Sequence, residues 1–279
     1  YNCARGDIMS YFKTFKINDH IFQFKDPMGV LTTLIIGKNK AMLIDTAYGI
    51  GDLKKQIEEI TKLPLIVIDS HGHMDHTGGN YQFNEVYISS LDIKLCKKHN
   101  SLDWRKNNVE TAKNLNILPD DFNENIYITH NEGNLVPLET NTIFDLGEIH
   151  IKIIPMEGHT KGSIGCLDIE DKILVVTDAT CPFVWLFLEE STTVDIYIKM
   201  LERTLKLDFD YILLGHGAGT LLPKNRVIEF LNTAKELDLS KSVKVTFNHF
   251  ENLNSYCYTK YKLYDQSGSG IVFDPKKIE

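Results

Sequence analysis

A chain of 279 residues with 43% hydrophobic and 24% charged side chains has a globular composition, neither fibrous nor disordered. Its net charge of −8 argues against a polyanionic partner, so no nucleic acid is expected. No apolar run approaches the ~20 residues of a membrane span, so no membrane is expected as a partner either.

The chain reads as one large domain over residues 1–279, since no low-complexity tract or linker divides it. Its five cysteines (Cys3, Cys96, Cys166, Cys181 and Cys257) are odd in number, widely spaced and without a C-x-x-C pair. That suits reduced thiols and a cytoplasmic location better than a disulfide scaffold. Tyr1 to Asp7 lack the apolar core of a signal peptide, while a start at Tyr1 rather than Met leaves room for an upstream segment.

The N-terminal part is β-rich. Phe15 to Ile17 and Ile21 to Phe24 flank a turn, and Leu31 to Ile36 and Ala41 to Ile44 flank the hairpin signal Gly37-Lys38-Asn39-Lys40. Asp45 ends that second strand. Leu53, Ile57 and Ile60 give the next segment a helical stripe. Leu65 to Asp69 forms a short apolar run that reads as a strand buried on both faces.

Directly after that strand comes the densest chemistry in the chain: Ser70-His71-Gly72-His73-Met74-Asp75-His76-Thr77-Gly78-Gly79. Two residues apart, His71 and His73 leave the same face if the backbone stays extended. Asp75 and His76 fall where the chain turns. Three imidazoles and a carboxylate within six residues are hard to explain as packing, and they are the usual ligands of zinc and its neighbours.

Beyond this cluster the sequence predicts a strand at Val86 to Ile88 and a helix from about Ser90 to Asn100. Residues 101–125 read as a helical insertion anchored by Trp104 and Leu115, either a lid over the site or a solvated connecting helix. Strands are expected at Ile126 to Thr129, Thr142 to Leu146, Ile149 to Pro155, Ile164 to Leu167 and Ile173 to Thr177. Gly158-His159-Thr160 comes after one strand end and Asp178 after another. A helix carrying Ile196, Met200 and Leu201 on one side precedes a strand, Tyr211 to Leu214, that ends in Gly215-His216-Gly217. A long helix over Lys224 to Leu237, with Val227, Ile228, Leu231 and Leu237 inward, precedes closing strands at Val243 to Phe250, Ser255 to Tyr264 and Ile271 to Phe273. Each half thus offers hairpin strands ending in Asp (Asp45, Asp178), a helix, and a strand ending in a Gly/His turn. Two similar β/α halves packed face to face would bring the strand-end loops to one edge, where ligands bind in open sheets.

His71, His73, Asp75, His76, His159, Asp178 and His216 all come after apolar strands, and they use five of the ten histidines. His20, His99, His130, His150 and His249 lie in polar or strand-surface contexts and receive no role. The H-x-H-x-D-H motif, the Gly-His-Thr, the strand-ending Asp and the final Gly-His-Gly resemble the metallo-β-lactamase fold superfamily, and the pattern spans nearly the whole chain. The resemblance implies an α/β fold, a four-layer αββα sandwich with a dinuclear metal site on one edge. It puts His71, His73 and His159 on one metal and Asp75, His76 and His216 on a second, with Asp178 bridging. The expected cofactors are two divalent ions, Zn²⁺ first, with Fe or Mn as alternatives. No cysteine falls at the ligand place used by secreted lactamases, and the full His/Asp set is closer to the glyoxalase II and lactonase branches.

Such a site turns a shared water into hydroxide at neutral pH, with Asp75 as catalytic residue, a ligand that also orients the nucleophile or takes its proton. Asp45 resembles the family's structural Asp, holding a ligand loop from behind, and reads equally as a turn cap. The substrate is a small molecule. Met28, Tyr48, Phe183 and Trp185 are candidate pocket walls, although Phe183-Val184-Trp185-Leu186-Phe187 also reads as core or as the face of a homodimer. Lys224 and Arg226 could hold an anionic group or simply be solvated at a helix start.

The leading expectation is hydrolysis of an ester, thioester, lactone or amide. The alternatives are a β-lactamase-like amidase, an iron-dependent persulfide dioxygenase, and a non-catalytic ligand-binding member of the fold. A nuclease is disfavoured by the acidic balance.

Overall fold

The structure is a computed structural model that describes residues 10–247 and 250–279. Strands β1 (Lys13–Lys16), β2 (Ile21–Lys25), β3 (Leu31–Ile36) and β4 (Ala41–Ile44) form an antiparallel meander. Helix α1 (Leu53–Ile60) returns the chain to β5 (Leu65–Ile68), which leads into a one-turn helix, α2 (Met74–Thr77). Then come β6 (Val86–Ser89), α3 (Ile93–His99), α4 (Leu102–Asn114), α5 (Glu124–Tyr127) and β7 (Leu135–Leu138). β4 to β7 pair in parallel, completing a seven-stranded sheet in simple sequence order.

The second half begins with β8 (Ile143–Asp145), β9 (His150–Pro155), β10 (Ile164–Asp168) and β11 (Ile173–Thr177). After β12 (Phe183–Leu186) and α6 (Val194–Thr204) come β13 (Tyr211–Leu214), β14 (Leu222–Pro223) and α7 (Asn225–Lys235). β15 (Val243–Val245), β16 (Ser255–Thr259) and β17 (Gly270–Phe273) close the chain. A six-stranded sheet runs β14-β13-β11-β10-β9-β8, and a four-stranded one runs β12-β17-β16-β15.

Period-two alternation explains why these strands are apolar throughout. In β4, Met42 and Ile44 face the core between the two large sheets while Ala41 and Leu43 face α1. In β11, Ile173 and Val175 face the same central core, and Leu174 and Val176 face α6 and α7. Both faces of both sheets are therefore covered, giving the expected α/β/β/α order of layers. The sheets are also tied at one edge. Leu31 N donates to Gly215 O at 2.7 Å, Val30 bridges His216, and Ile164 N donates to Ser70 O at 2.9 Å. Among the described residues no helix is long and apolar enough to cross a membrane.

Several expectations need correction. Ile126 to Thr129 is not a strand: Asn123 caps a helical turn there by accepting from Ile126 N, and Ile126 is 55% exposed. Leu115 anchors nothing, being 55% exposed. Ile196 and Ile228 are exposed rather than inward. The run Phe183–Phe187 divides between two clusters at the edge of the four-stranded sheet. Val184 and Leu186 of β12 join the core beneath α6 and α7, as a core reading expects, while Phe183, Trp185 and Phe187 pack with Phe247 and Phe250. The strand expected over Ser255 to Tyr264 stops at Thr259. That expected over Val243 to Phe250 is a strand only to Val245, and it includes residues 248–249, which lie outside the described residues. The strand at Ile271 to Phe273 is present as Gly270–Phe273, and β7 is an additional strand in a segment with no strand signal. Cys96, Cys166, Cys181 and Cys257 are free thiols, as expected, and Cys3 and His249 lie outside the described residues.

Candidate metal centre

The site starts where β5 stops. Past Ile68 the chain bends through Ser70, His71 and Gly72, and His73 (φ −76°, ψ 150°) is the N-cap of α2. The backbone therefore presents His71 and His73 side by side and then coils, which turns Asp75 and His76 to the neighbouring space. Gly78 and Gly79 allow the tight exit, since a Cβ on either would sit 2.4 Å or less from a backbone carbonyl oxygen. From the other sheet, His159 lies past the end of β9, Asp178 past β11 and His216 past β13.

All seven expected residues meet, in two adjoining groups. In the first, His71 Nε2 and His159 Nε2 lie 3.1 and 3.0 Å from His73 Nδ1. That is near the ~3.3 Å edge of a tetrahedron with metal–nitrogen arms of ~2.0–2.1 Å. Each ring is gripped by its other nitrogen: His71 Nδ1 by Ser70 Oγ at 3.0 Å, His159 Nδ1 by the Trp185 carbonyl at 2.9 Å, and His73 Nε2 by Glu190 Oε1 at 2.7 Å. Fixing the rear nitrogen fixes which front nitrogen offers a lone pair.

In the second group, His216 Nε2 stands 3.3 Å from Asp75 Oδ2, 3.2 Å from Asp178 Oδ2 and 3.3 Å from His76 Nε2. His76 Nε2 is 3.4 and 3.6 Å from the same two carboxylates. Its rear Nδ1 bonds Asp45 Oδ2 at 2.7 Å, while Asp45 also accepts from the Ser70 amide and hydroxyl. Asp45 thus holds the 70–76 ligand loop from behind at two points, at a left-handed φ of 67° that few side chains adopt without compensation. This is more than a turn cap.

The electrostatics of the groups differ in sign. Burial and the neighbouring imidazoles push His71 well below the usual histidine range and His159 down to about 4. In the second group burial also opposes charge, but Asp75 and Asp178 outweigh it, holding His76 well above its ordinary value and His216 up to about 10. The two carboxylates, whose burial alone would raise them, are pulled well below theirs by His76 and His216.

Divalent ions fit these residues. Asp178 Oδ1 is buried with no hydrogen-bond partner beside a set of nitrogen and oxygen donors, and a lone carboxylate oxygen there is costly unless a cation takes it. The donor types suit zinc or its neighbours. A Cβ on Gly215 would fall 2.6 Å from that oxygen and 2.9 Å from His76 Cε1, so only glycine leaves the space open.

Residues without a signal in the sequence complete the frame. Asp92, after β6, accepts from Gly72 N, Gly162 N and Thr160 Oγ, stapling the His71 loop to the His159 loop. Ser191 Oγ donates to His159 O. His99, whose sequence context assigns it no role, is stacked between His73 and Trp104 with centroids 4.9 and 4.1 Å away. His20, His130 and His150 lie elsewhere, against Asp168 and Asp171, Tyr81 and Glu170 respectively.

The centre floors a cavity of about 930 Å³. Tyr48, Phe183 and Trp185 line it as expected, and so do Trp104, Asn107, Asn108 and Thr111 of α4. Within the 101–125 segment, α4 is therefore a wall of the site, fastened by Arg105, which donates to Gly78 O and Asn131 O. Met28 is off the cavity, packed with Tyr11 and Tyr48 in a cluster behind it. Neither expected cation reaches it. Lys224 donates to Leu207 O over the Phe209 ring, and Arg226 is taken by Glu229 and Gly268 O.

Residues 26–216 match the family profile described as the Metallo-beta-lactamase superfamily. The chain belongs to that superfamily. Among curated relatives, the acyl-coenzyme A thioesterases MBLAC2 of Homo sapiens and Bos taurus are 22% and 23% identical over 191 and 190 residues. Each match covers 62% of this chain and 66% of the relative, so the chain spans just under two thirds of these relatives' length. Of solved structures, the metallo-beta-lactamase from Pontibacter korlensis has a TM-score of 0.53 at 16% identity, covering 81% of this chain and all of that one. The sec-alkylsulfatase Pisa1 from Pseudomonas sp. has a TM-score of 0.61 at 13% identity, covering 80% and 42%. At such identities these two show the metallo-beta-lactamase fold and nothing of the substrate.

Proposed function

We propose that the protein is a metal-dependent hydrolase that cleaves a thioester, or a related ester, of a small molecule. The observation that carries this is the pairing of two ligand groups, with the rear nitrogens of His71, His73, His76 and His159 already held, on the floor of one substrate-sized cavity. His71, His73 and His159 would hold one divalent ion, and Asp75, His76 and His216 a second, with Asp178 between them. Bound there, the ions would supply an activated water near neutral pH and an electrophilic contact for a carbonyl oxygen.

The remaining work falls to the chain's own residues. The Asp75 carboxylate, 23% exposed at the cavity floor, is the acceptor available for the water proton. Ser70, Glu190, the Trp185 carbonyl and Asp45 keep the imidazoles from rotating out of register, which preserves a preorganised site. Hydrolysis forms a C–O bond and breaks the C–S or C–O bond of the leaving group, releasing an acid and a thiol or alcohol. The thioester preference is supported by the MBLAC2 relatives, whose names give acyl-coenzyme A thioesterase.

A panel at neutral pH tests the reading: chromogenic thioesters, esters, lactones and nitrocefin, with oxygen uptake followed on a persulfide. Thioester turnover that disappears on chelation and returns with zinc or manganese is expected. Nitrocefin as the best substrate would replace this reading with an amidase. Oxygen uptake with bound iron would replace it with a dioxygenase, and binding without turnover on any substrate would make the chain a non-catalytic member of the fold.

A further inference from the structure

The cavity above the metal centre has two unlike walls. One is made by β12 and the four-stranded sheet, and it is almost wholly aromatic. Trp185 packs on Phe247 with centroids 4.3 Å apart and meets Phe250 edge-on at 6.0 Å. Phe247 reaches Tyr264 at 6.2 Å, and Tyr264 reaches Phe183 at 5.4 Å. All five rings line the cavity. The opposite wall, on α4, is polar but uncharged at Asn107, Asn108 and Thr111.

Charge is what this cavity lacks. Among the described residues that line it there is no Lys or Arg, and its charged side chains, Asp75, Asp178 and His216, sit in the metal centre. A carboxylate, phosphate or sulfate pressed on the aromatic wall would lose its water and find no partner. An aliphatic chain there gains from every methylene removed from water. The aromatic wall is also coupled to the centre, since the carbonyl that holds His159 belongs to Trp185, whose ring lines the wall.

We infer that this aromatic wall is an acyl-chain subsite, selecting substrates whose acyl group is uncharged, aliphatic and longer than acetyl, and rejecting those with a terminal carboxylate. The inference deepens the hydrolase reading and rests on it for the word acyl.

The protein's two tryptophans, Trp104 and Trp185, both line the cavity, so intrinsic fluorescence reports its occupancy without turnover. The test has two arms on the full chain. In the first, thioesters of one thiol, N-acetylcysteamine, carry acetyl, butyryl, hexanoyl, octanoyl and ω-carboxyhexanoyl groups. kcat/KM should climb about fourfold per methylene until the wall is covered, and the ω-carboxylate should fall at least ~100-fold below octanoyl. In the second, decanamide is titrated against Trp fluorescence. It should bind wild type and bind Phe247→Ala or Trp185→Phe several-fold more weakly, and both variants should flatten the chain-length slope. Turnover that is independent of chain length, or faster with the ω-carboxylate, overturns the subsite and leaves the hydrolase standing. Binding of decanamide with no turnover of any thioester sinks the hydrolase and keeps an apolar binding wall. No fluorescence response to decanamide up to its solubility limit overturns the subsite.

Discussion

The trio His71, His73 and His159 and the quartet Asp75, His76, Asp178 and His216 adjoin on one floor, yet they solve different problems. The trio is made of imidazoles alone. Burial and the neighbouring imidazoles favour the neutral form of His71 and His159, and the trio's geometry comes from behind, from Ser70, the Trp185 carbonyl and Glu190. In the quartet two carboxylates set the charge, and His76 and His216 answer it with raised proton affinity, filling the electrostatic place a cation would take. The trio supplies direction and the quartet supplies charge. A centre of this kind needs both, because a cation without fixed ligands is poorly oriented and fixed neutral ligands alone do little to offset its lost hydration.

That contrast can be broken from either side. Asp178→Ala removes the carboxylate with the unpartnered oxygen, so it strikes both groups and has the largest expected effect. kcat/KM on the thioester should fall more than ~10³-fold, and metal content measured by plasma mass spectrometry should drop below that of wild type. A variant retaining wild-type metal content and rate would show that the quartet's charge is dispensable. Asp45→Asn keeps the shape but not the charge behind His76. A loss of about 10–100-fold in metal affinity is expected in competition with a chromogenic chelator, larger in one of the two binding steps because Asp45 bonds His76 directly and reaches His71 only through Ser70. Glu190→Gln acts behind His73 in the trio and has the smallest expected effect, about 10-fold in affinity, because the amide oxygen can still accept the His73 proton. Were the two variants to weaken the same binding step equally, the division into two groups would collapse into one site.

Much of the centre is legible in the sequence because metal ligands cannot hide in short motifs. H-x-H-x-D-H stands out since no packing need explains it, and His159, Asp178 and His216 are marked by strand ends and adjacent glycines. The apolar strands β4 and β11 carry the sandwich in their composition. What holds the ligands is far less visible. Asp92 and Glu190 look like any turn carboxylate until the chain folds over them, and His99 looks like a helix-surface residue because its partner Trp104 sits on a different helix. Asp45 is marked only by family likeness, and its bond to His76 spans 31 residues. Ile126-Tyr127-Ile128-Thr129 has a strand's composition, but the Asn123 cap and the exposed position of Ile126 favour a helical turn. The aromatic wall is half visible: Phe183 and Trp185 stand at a strand end, but Phe247, Phe250 and Tyr264 come from more than 60 residues on, and no local pattern announces that they meet. Met28 lies in the loop between β2 and β3, half-buried against the cluster that includes Tyr11 and Tyr48, and does not line the cavity.

The most direct measurement is the metal content of the purified chain, taken with any turnover of the thioester panel before and after exhaustive chelation. A two-metal hydrolase should carry close to two equivalents per chain, lose its rate as they are removed, and recover both when zinc or manganese is added back. An active protein that carries no metal after chelation would contradict it.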